Sequence, residues 1–224
     1  MTTAAVVASG ELAAGDESHL AAADVIVAAD GGAQTIDRFG LRPDLVVGDL
    51  DSIDLDLLER LRSQGVAVEK HPADKDASDA ELAIDRARDL GADRIVLLGA
   101  AGGERLDHEL ANVLLLADPR YAALDLRLVR GSSTVRSLHP GGRIELDALD
   151  GDLVTLLPVG GDARGVRTIG LRWALDGAEL ALGRSRGLSN EVVATPASVG
   201  LDHGTLLVVV SSPSSPSVQG GTSS

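Results

Sequence analysis

The chain has 224 residues, of which 20 are basic and 34 acidic, giving a formal net charge of −14 with histidine neutral. A protein that binds a polyanion presents a basic surface, so this balance argues against a nucleic acid or an anionic membrane as partner. The absence of cysteine excludes disulfides, zinc–cysteine sites, iron–sulfur clusters and cysteine nucleophiles, and no apolar run approaches the roughly 20 residues that span a bilayer; we therefore expect a cytoplasmic protein.

The first part of the chain, to about Arg130, alternates short β-branched runs with segments of helical period. This alternation predicts an α/β domain over residues 1–131, built on a mostly parallel sheet. The predicted strands are residues 4–8, 25–29, 45–48, 66–69, 94–98 and 126–129. Ligands of open α/β sheets bind beyond the carboxyl ends of the strands, so we expect Asp30, Asp49 and Gly99 to meet at one edge.

Two helices are indicated between the later strands. Ser78 and Glu81 have the spacing of a capping box, which predicts a helix that begins there and ends before Gly91. A second predicted helix ends before Pro119 and has apolar residues on both sides, namely Leu110, Val113, Leu114 and Ala117 on one and Leu115 and Leu116 on the other. We expect such a helix to be covered twice, in part by a partner chain.

The pattern changes after about Gly131. Short alternating runs at residues 143–146, 153–157, 192–195 and 205–210 are separated by Gly, Pro and Asp turns, without a helical stripe between them. This pattern predicts an all-β sandwich over residues 132–211. Residues 212–224 are rich in Ser, Pro and Gly, and we expect a disordered tail there.

Acidic residues are concentrated after the third predicted strand. Asp49 and Asp51 lie two residues apart, and in an extended chain they would point the same way. Two carboxylates held together repel each other unless they are protonated or metal-bound, and Mg²⁺ commonly takes one or two carboxylates together with substrate phosphates. The alternative interpretation is an ordinary turn, in which Asp and Ser are common.

A second acidic segment, residues 74–79, precedes the capped helix. Capping accounts for Ser78, but it does not require Asp74, Lys75 and Asp76 as well. Lys75 is one of two lysines in a chain with eighteen arginines. We interpret this segment as the second half of a site that handles metal and phosphate.

Glycine-rich turns follow two of the predicted strands, at residues 30–33 and 99–103. Glycines there allow backbone N–H groups to approach a phosphate at a helix N-terminus, although such turns are often merely tight. Neither turn has the P-loop pattern. The nucleotide-binding candidates are Asp30, Gly31, Gly32, Gly99, Gly102, Gly103, His108 and Asn112.

Arg105 follows the second glycine turn and could hold phosphate oxygens in its guanidinium fork, with Asp107 orienting it or binding metal. The alternative is a surface ion pair beside a solvated helix face. Trp173, the single tryptophan, is by itself better explained as a core residue of the sandwich, and Gly187 with Asn190 by a hairpin turn.

Five segments, in order across roughly residues 24 to 210, resemble the thiamin pyrophosphokinase family. They are Asp-Gly-Gly-Ala (30–33), Gly-Asp-Leu-Asp-Ser (48–52), Asp-Lys-Asp-Ala-Ser-Asp (74–79), Gly-Gly-Glu-Arg-Leu-Asp-His-Glu-Leu-Ala-Asn (102–112) and Gly-Leu-Ser-Asn-Glu (187–191). The sequence departs from the family in two places, since Glu104 adds a residue before Arg105 and Gln34 stands where Asn is common. The added residue puts the reach of Arg105 in question.

The resemblance implies an N-terminal α/β domain, a C-terminal β-sandwich and a homodimer with active sites between subunits. It places Mg²⁺ at Asp49, Asp51 and Asp79, and catalytic handling of phosphate and metal at Lys75, Asp76, Arg105 and Asp107. It also implies that Trp173 stacks on thiamin and that Ser189 and Asn190 contact it.

The function expected from these motifs is Mg²⁺-dependent transfer of the pyrophosphoryl group of ATP to the hydroxyl of thiamin, giving thiamin diphosphate and AMP. The thiamin hydroxyl would attack the β-phosphorus in line. Two alternatives stay open at this point. One is a pyrophosphokinase for another hydroxymethyl heterocycle, such as a pterin, and the other is a non-catalytic module that senses thiamin or nucleotide.

Overall fold

The computed structural model describes residues 1–103 and 105–213. The expectations for the added Glu104 and for residues 214–224 of the tail therefore lie outside the described residues. The N-terminal part is a sheet of six parallel strands in the order β4-β3-β2-β1-β5-β6. These strands are β1 (Thr3–Val7), β2 (Val25–Ala29), β3 (Leu45–Gly48), β4 (Ala67–Lys70), β5 (Arg94–Leu98) and β6 (Asp125–Arg130).

Within the described residues, five helices connect these strands and cover both faces of the sheet. They are α1 (Glu17–Ala21), α2 (Gly32–Arg38), α3 (Leu55–Ser63), α4 (Asp79–Asp89) and α5 (Leu106–Leu115). Because successive strand residues face opposite sides, Ala4 and Val6 of β1 pack in the core beneath α4, while Ala5 and Val7 pack in the core beneath α2 and α3. The aliphatic composition thus forms two cores, one on each side of a buried sheet.

The C-terminal part is all-β and continues from the parallel sheet. β7 (Ser133–Leu138) pairs antiparallel with β6, and β13 (His203–Ser211) and the long β9 (Leu153–Ile169) follow it in order. The shorter strands are β8 (Arg143–Glu145), β10 (Ala178–Leu180), β11 (Asn190–Glu191) and β12 (Ser198–Gly200). A third apolar core, which includes Leu138, Leu156 and Leu206, lies among these strands.

The structure has the predicted fold class, a parallel α/β part followed by a β part. Four of the described C-terminal strands, β7, β10, β11 and β12, are missing from the prediction, and two of the predicted runs differ from the structure. The predicted strand at 153–157 extends to Ile169, because β9 pairs with β13 first and with β10 and β12 further along. The predicted strand at 192–195 is wrong. Val192 forms an isolated bridge, and the N–H groups of Val193 and Ala194 both donate to the carbonyl of Gly170 instead of to a ladder.

The described helices are each too short or too polar to cross a lipid bilayer.

Candidate active site

A cleft of about 810 Å³ opens at the carboxyl edge of the parallel sheet. It lies where the strand order reverses, because β1 has β2 on one side and β5 on the other. That reversal is the place where open α/β sheets bind ligands. The lining residues come from the turns after β1, β2, β3 and β5, from the segment before α4 and from the first turns of α5. Asp30, Asp49 and Gly99 are all among them, so the three residues lie at one edge of the sheet as expected.

Three carboxylates meet in this cleft. Asp30 follows β2, Asp49 follows β3, and Asp79 is the first residue of α4, and one oxygen from each lies within 4.8 Å of the others. Asp30 is buried, while the other two are partly exposed. The spacing is short enough for a single divalent cation to contact oxygens from all three.

Backbone geometry at two positions permits this approach. Asp30 has a φ of 45°, in the left-handed region that Asp tolerates better than most residues. Gly48 has a φ of 154°, and a Cβ placed on it would lie 2.9 Å from the Asp30 Cβ and 3.1 Å from Asp79 Oδ1. A side chain at position 48 would therefore push the carboxylates apart.

The electrostatics of the cleft suit a cation. Burial raises the pKa of Asp30, hydrogen bonds from Ser52 oppose this rise, and the charges of Asp79 and Asp49 add to it. Asp30 Oδ2 accepts a hydrogen bond from the Ser52 N–H at 3.2 Å, whereas the buried Oδ1 has no hydrogen-bond partner in the described part of the protein. A buried carboxylate oxygen without a donor is costly unless a cation completes its surroundings.

Lys75 is the positive group closest to these carboxylates in the ion pairs of the described residues. Its Nζ lies 2.9 Å from Asp79 Oδ1 and 3.7 Å from Asp49 Oδ2, and its side chain is only 14 % exposed. Burial tends to lower the pKa of Lys75, but the hydrogen bond and charge of Asp79, together with Asp49, raise it above its usual value. The ammonium is therefore firmly protonated.

Asp51 and Asp76 line the same cleft without joining the three-carboxylate group. Leu50 has a φ of 66°, so the segment from 49 to 51 is not extended and Asp49 and Asp51 do not share a side as the sequence analysis assumed. Asp51 is exposed and accepts a hydrogen bond from Ser52 Oγ at 2.9 Å. The three-carboxylate group thus contains Asp30, which the sequence analysis expected at the nucleotide, together with Asp49 and Asp79.

The glycines of the two turns meet different structural requirements. Gly99, with a φ of 61°, lines the cleft, and an added Cβ would lie 2.8 Å from the carbonyl oxygens of Ala8 and Gly10. A Cβ on Gly32 would overlap the Val7 carbonyl, so close packing of α2 on β1 explains that position. Gly103 lines the cleft, and an added Cβ there would meet no atom within 4 Å, so there is room for a ligand beside its backbone.

Two other predicted glycines lie beside the cleft. Gly31 packs against Ser9, which would approach an added Cβ at 3.0 Å. Gly102 packs against the Arg130 guanidinium, and its backbone N–H donates to Glu109 Oε2 at 3.0 Å. Neither residue is among those that line the cleft.

Arg105 and Asp107 form a bidentate ion pair at the cleft mouth. Arg105 donates through Nε at 2.9 Å and through Nη2 at 2.7 Å, and the two side chains are 67 % and 65 % exposed. The Arg105 guanidinium holds the pKa of Asp107 far below its usual value. Arg105 and His108 line the cleft, and Asn112 donates to the Ala100 carbonyl at 3.0 Å, which fixes the turn after β5.

Sequence reasoning missed Ser9 and Gly10, which follow β1 and line the cleft. The signal was available, because a short turn after a buried first strand occupies the same edge as the other turns.

The residues expected at thiamin form a separate unit in the β part. The Asn190 side chain accepts a hydrogen bond from the backbone N–H of Trp173 at 3.0 Å and donates one to the backbone carbonyl of Trp173 at 2.8 Å. Ser189 has a φ of 54°, and its N–H donates to Thr155 Oγ1 at 2.9 Å. Trp173 is 60 % exposed, so it is not the core residue that composition alone would favour. None of the three lines the cleft within the same described chain.

Comparisons with known proteins agree with this two-part description. Residues 17–128 match the family model "Thiamin pyrophosphokinase, catalytic domain", and residues 143–206 match "Thiamin pyrophosphokinase, vitamin B1 binding domain". The thiamine pyrophosphokinase of Bacillus subtilis is 27 % identical over 184 residues, covering 82 % of this chain and 85 % of that protein.

Two further similarities cover most of the chain. Thiamine pyrophosphokinase 2 of Arabidopsis thaliana is 30 % identical over 188 residues, covering 73 % of this chain and 69 % of that protein. The crystal structure of thiamin pyrophosphokinase from Geobacillus thermodenitrificans superposes with a TM-score of 0.79 at 29 % identity, covering 96 % of this chain and 99 % of that one. With both family models matched in order, the chain belongs to the thiamin pyrophosphokinase family.

Proposed function

We propose that this protein transfers the pyrophosphoryl group of ATP to the hydroxyl of thiamin, giving thiamin diphosphate and AMP. The observation that carries this function is the convergence of Asp30, Asp49 and Asp79 beside a glycine turn, in a member of this family. The hydroxyl oxygen forms a bond to the β-phosphorus, and the bond from the β-phosphorus to the oxygen bridging it to the α-phosphate breaks, so that AMP leaves.

The three carboxylates fit Mg²⁺, because the buried Asp30 Oδ1 has no donor among the described residues and hard oxygen ligands suit this ion. Asp30, Asp49 and Asp79 would hold it, while Asp51 lies nearby on the cleft wall. When bound, Mg²⁺ neutralises phosphate charge that this acidic cleft would otherwise repel.

The basic residues of the cleft would carry the rest of the phosphate charge. Lys75 and Arg105 both line the cleft and are the candidates to stabilise the transferred group. For the hydroxyl proton we favour Asp76, which is exposed to the cleft. Asp107 is a poor base because Arg105 holds its pKa far below the usual value, and we assign it to positioning Arg105.

A homodimer would complete the site. Trp173, Ser189 and Asn190 do not line the cleft of their own described chain, and we propose that a second copy brings these side chains to it. Of the apolar residues expected on α5, Leu110 and Leu114 are each more than half exposed, as is Leu106 one turn earlier. Burying such a face between two copies is favourable, which supports association through a twofold axis.

Product analysis tests the reaction. Protein incubated with ATP, Mg²⁺ and thiamin is expected to release AMP and thiamin diphosphate in equal amounts, with no AMP when thiamin is omitted. ADP with thiamin monophosphate would contradict pyrophosphoryl transfer. A hydroxymethylpterin offered in place of thiamin separates the alternative substrate, and thiamin binding without turnover would indicate a sensing module.

Mixing two impaired variants tests the shared site. Asp49→Asn damages the cleft, and Trp173→Ala weakens thiamin binding by roughly 2- to 30-fold, the range for a cation–π contact. If each site combines the two parts from different chains, a mixed dimer contains one undamaged site. Variants co-refolded in equal amounts and assayed at low thiamin should then exceed the mean activity of the two parents, and activity no higher than that mean would contradict the shared site.

A further inference from the structure

Lys75 occupies a position in the carboxylate group that a cation would otherwise take. Its Nζ contacts Asp79 at 2.9 Å and lies 3.7 Å from Asp49, and both carboxylates belong to the group with oxygens within 4.8 Å of one another. An ammonium and a small divalent cation compete for such a space, because both bind the same oxygens at short range.

Lys75 neutralises the three carboxylates only in part. It brings one positive charge to three carboxylates, and the buried Asp30 Oδ1 keeps no hydrogen-bond partner among the described residues. The group therefore retains an excess of negative charge and an oxygen that the ammonium does not serve. A divalent cation supplies twice the charge and can contact oxygens of all three residues.

The residue type suits a displaceable contact. The chain uses eighteen arginines and two lysines, and lysine stands at this position. An arginine fork would hold a carboxylate through two parallel hydrogen bonds, as Arg105 holds Asp107. A lysine ammonium is a compact charge on a flexible stem and can move from one anionic partner to another.

We infer that Lys75 is a tethered counter-ion, which neutralises Asp49 and Asp79 in the metal-free protein and is displaced from them when a divalent cation binds. Displacement frees the ammonium for the phosphate oxygens of the nucleotide, so the group that stabilises the transferred charge becomes available only in the loaded site. This inference rests on the metal site of the proposed function and assigns Lys75 an additional role before substrate binds.

The test measures metal binding without substrate. Mn²⁺, which takes the same oxygen ligands as Mg²⁺, is titrated into metal- and nucleotide-free protein and free Mn²⁺ is followed by electron paramagnetic resonance. The Lys75→Gln variant should bind Mn²⁺ roughly tenfold more tightly than the unsubstituted protein, the factor expected when one charge-assisted contact need not be broken. Lys75→Arg, which keeps the charge, should bind no more tightly than the unsubstituted protein.

Lys70→Gln is the matched control, because it removes the same charge from an exposed residue that forms no ion pair within residues 1–103 and 105–213. It should change Mn²⁺ affinity less than twofold. Melting temperatures provide a second readout: metal-free Lys75→Gln should melt lower, and Mn²⁺ should raise its melting temperature more.

Mn²⁺ affinity of Lys75→Gln that equals or falls below that of Lys70→Gln overturns the inference. The proposed function is judged separately, by release of AMP and thiamin diphosphate from the unsubstituted protein. A chain that makes these products, and whose Lys75→Gln variant binds Mn²⁺ no more tightly, keeps the function and loses the counter-ion role.

Discussion

Two charged clusters in this protein, the three carboxylates of the cleft and Asp125 with its arginines, have opposite charge balance. Asp49 of the cleft and Asp125 of β6 have side chains that are 18 % and 16 % exposed. Asp125 is met by Arg94, Arg127 and Arg136 at 2.7, 2.8 and 3.1 Å. Among the ion pairs of the described residues, the three cleft carboxylates are paired with one positive group only, the ammonium of Lys75.

The pKa values follow the charge balance. Burial tends to raise the pKa of Asp125, but hydrogen bonds from Arg127 and Arg94 and the charge of Arg136 outweigh it and hold the pKa at about 2. Burial also raises the pKa of Asp30, and its acidic neighbours raise it further. The Asp125 carboxylate is neutralised by arginines of the chain itself, whereas the cleft carboxylates keep an excess of negative charge that the proposed Mg²⁺ would neutralise.

Breaking the cleft cluster should have the largest effect on activity. Asp49→Asn is expected to lower kcat/KM by about 10²- to 10³-fold, the usual cost of losing a group that stabilises developing charge. Thiamin-dependent AMP release measures it, with circular dichroism to confirm the fold. Asp125→Asn, assayed below its melting temperature, is the control and should keep nearly full activity. Equal losses in both variants would contradict the distinction between the clusters.

Breaking the Asp125 cluster should have the largest effect on stability. Asp125→Asn is expected to lower the free energy of unfolding by about 2 kcal/mol at pH 7, from the fall of its pKa from 3.8 to about 2. Because the folded pKa is depressed, this stabilisation is present above the unfolded pKa and is lost as pH falls from about 4 to 2. Urea unfolding of both proteins at pH 7 and pH 2.5 checks this, and a difference that persists undiminished at pH 2.5 would contradict it.

Two helix caps sharpen the comparison because one belongs to the cleft. Ser78 accepts the Glu81 N–H at the start of α4, and Asp54 accepts the Leu57 N–H at the start of α3. Replacing either by Ala should cost about 1 kcal/mol of stability. Ser78→Ala should also raise the KM for ATP, since the first turn of α4 carries Asp79 and lines the cleft. An equal KM change in Asp54→Ala would show a general effect of destabilisation.

The smallest expected effect has the opposite sign. Asp30→Asn removes a buried negative charge from a repulsive group, and Asn tolerates the left-handed backbone and can still accept the Ser52 N–H. Metal-free protein should gain about 0.5 kcal/mol of stability while losing activity. Asp51→Asn should leave stability unchanged and weaken Mn²⁺ binding less than Asp30→Asn does. A stronger loss of Mn²⁺ binding in Asp51→Asn than in Asp30→Asn would instead support the metal ligands expected from sequence, Asp49, Asp51 and Asp79.

Much of the α/β part could be predicted from sequence because its signals are local. The bounds of β2, β3 and β5 agree with the predicted strands, and Ser78 caps α4 as the capping box indicates. Apolar runs and caps depend on neighbouring residues only. The β part was harder, since β9 (Leu153–Ile169) owes its length to partners distant in sequence, which pair with it on both sides of an irregularity at Gly160, where φ is 73°.

The sequence by itself determined the fold class and which segments carry the acidic and glycine-rich turns, because hydrophobic periodicity and turn residues depend only on neighbouring positions in the chain. Only the tertiary structure decided which carboxylates meet. Leu50 takes a left-handed backbone that ends the alternation between Asp49 and Asp51, while the bare Cα of Gly48 admits Asp30 from the neighbouring strand. Contacts between turns depend on the sheet that aligns them, and a linear pattern does not contain that distance.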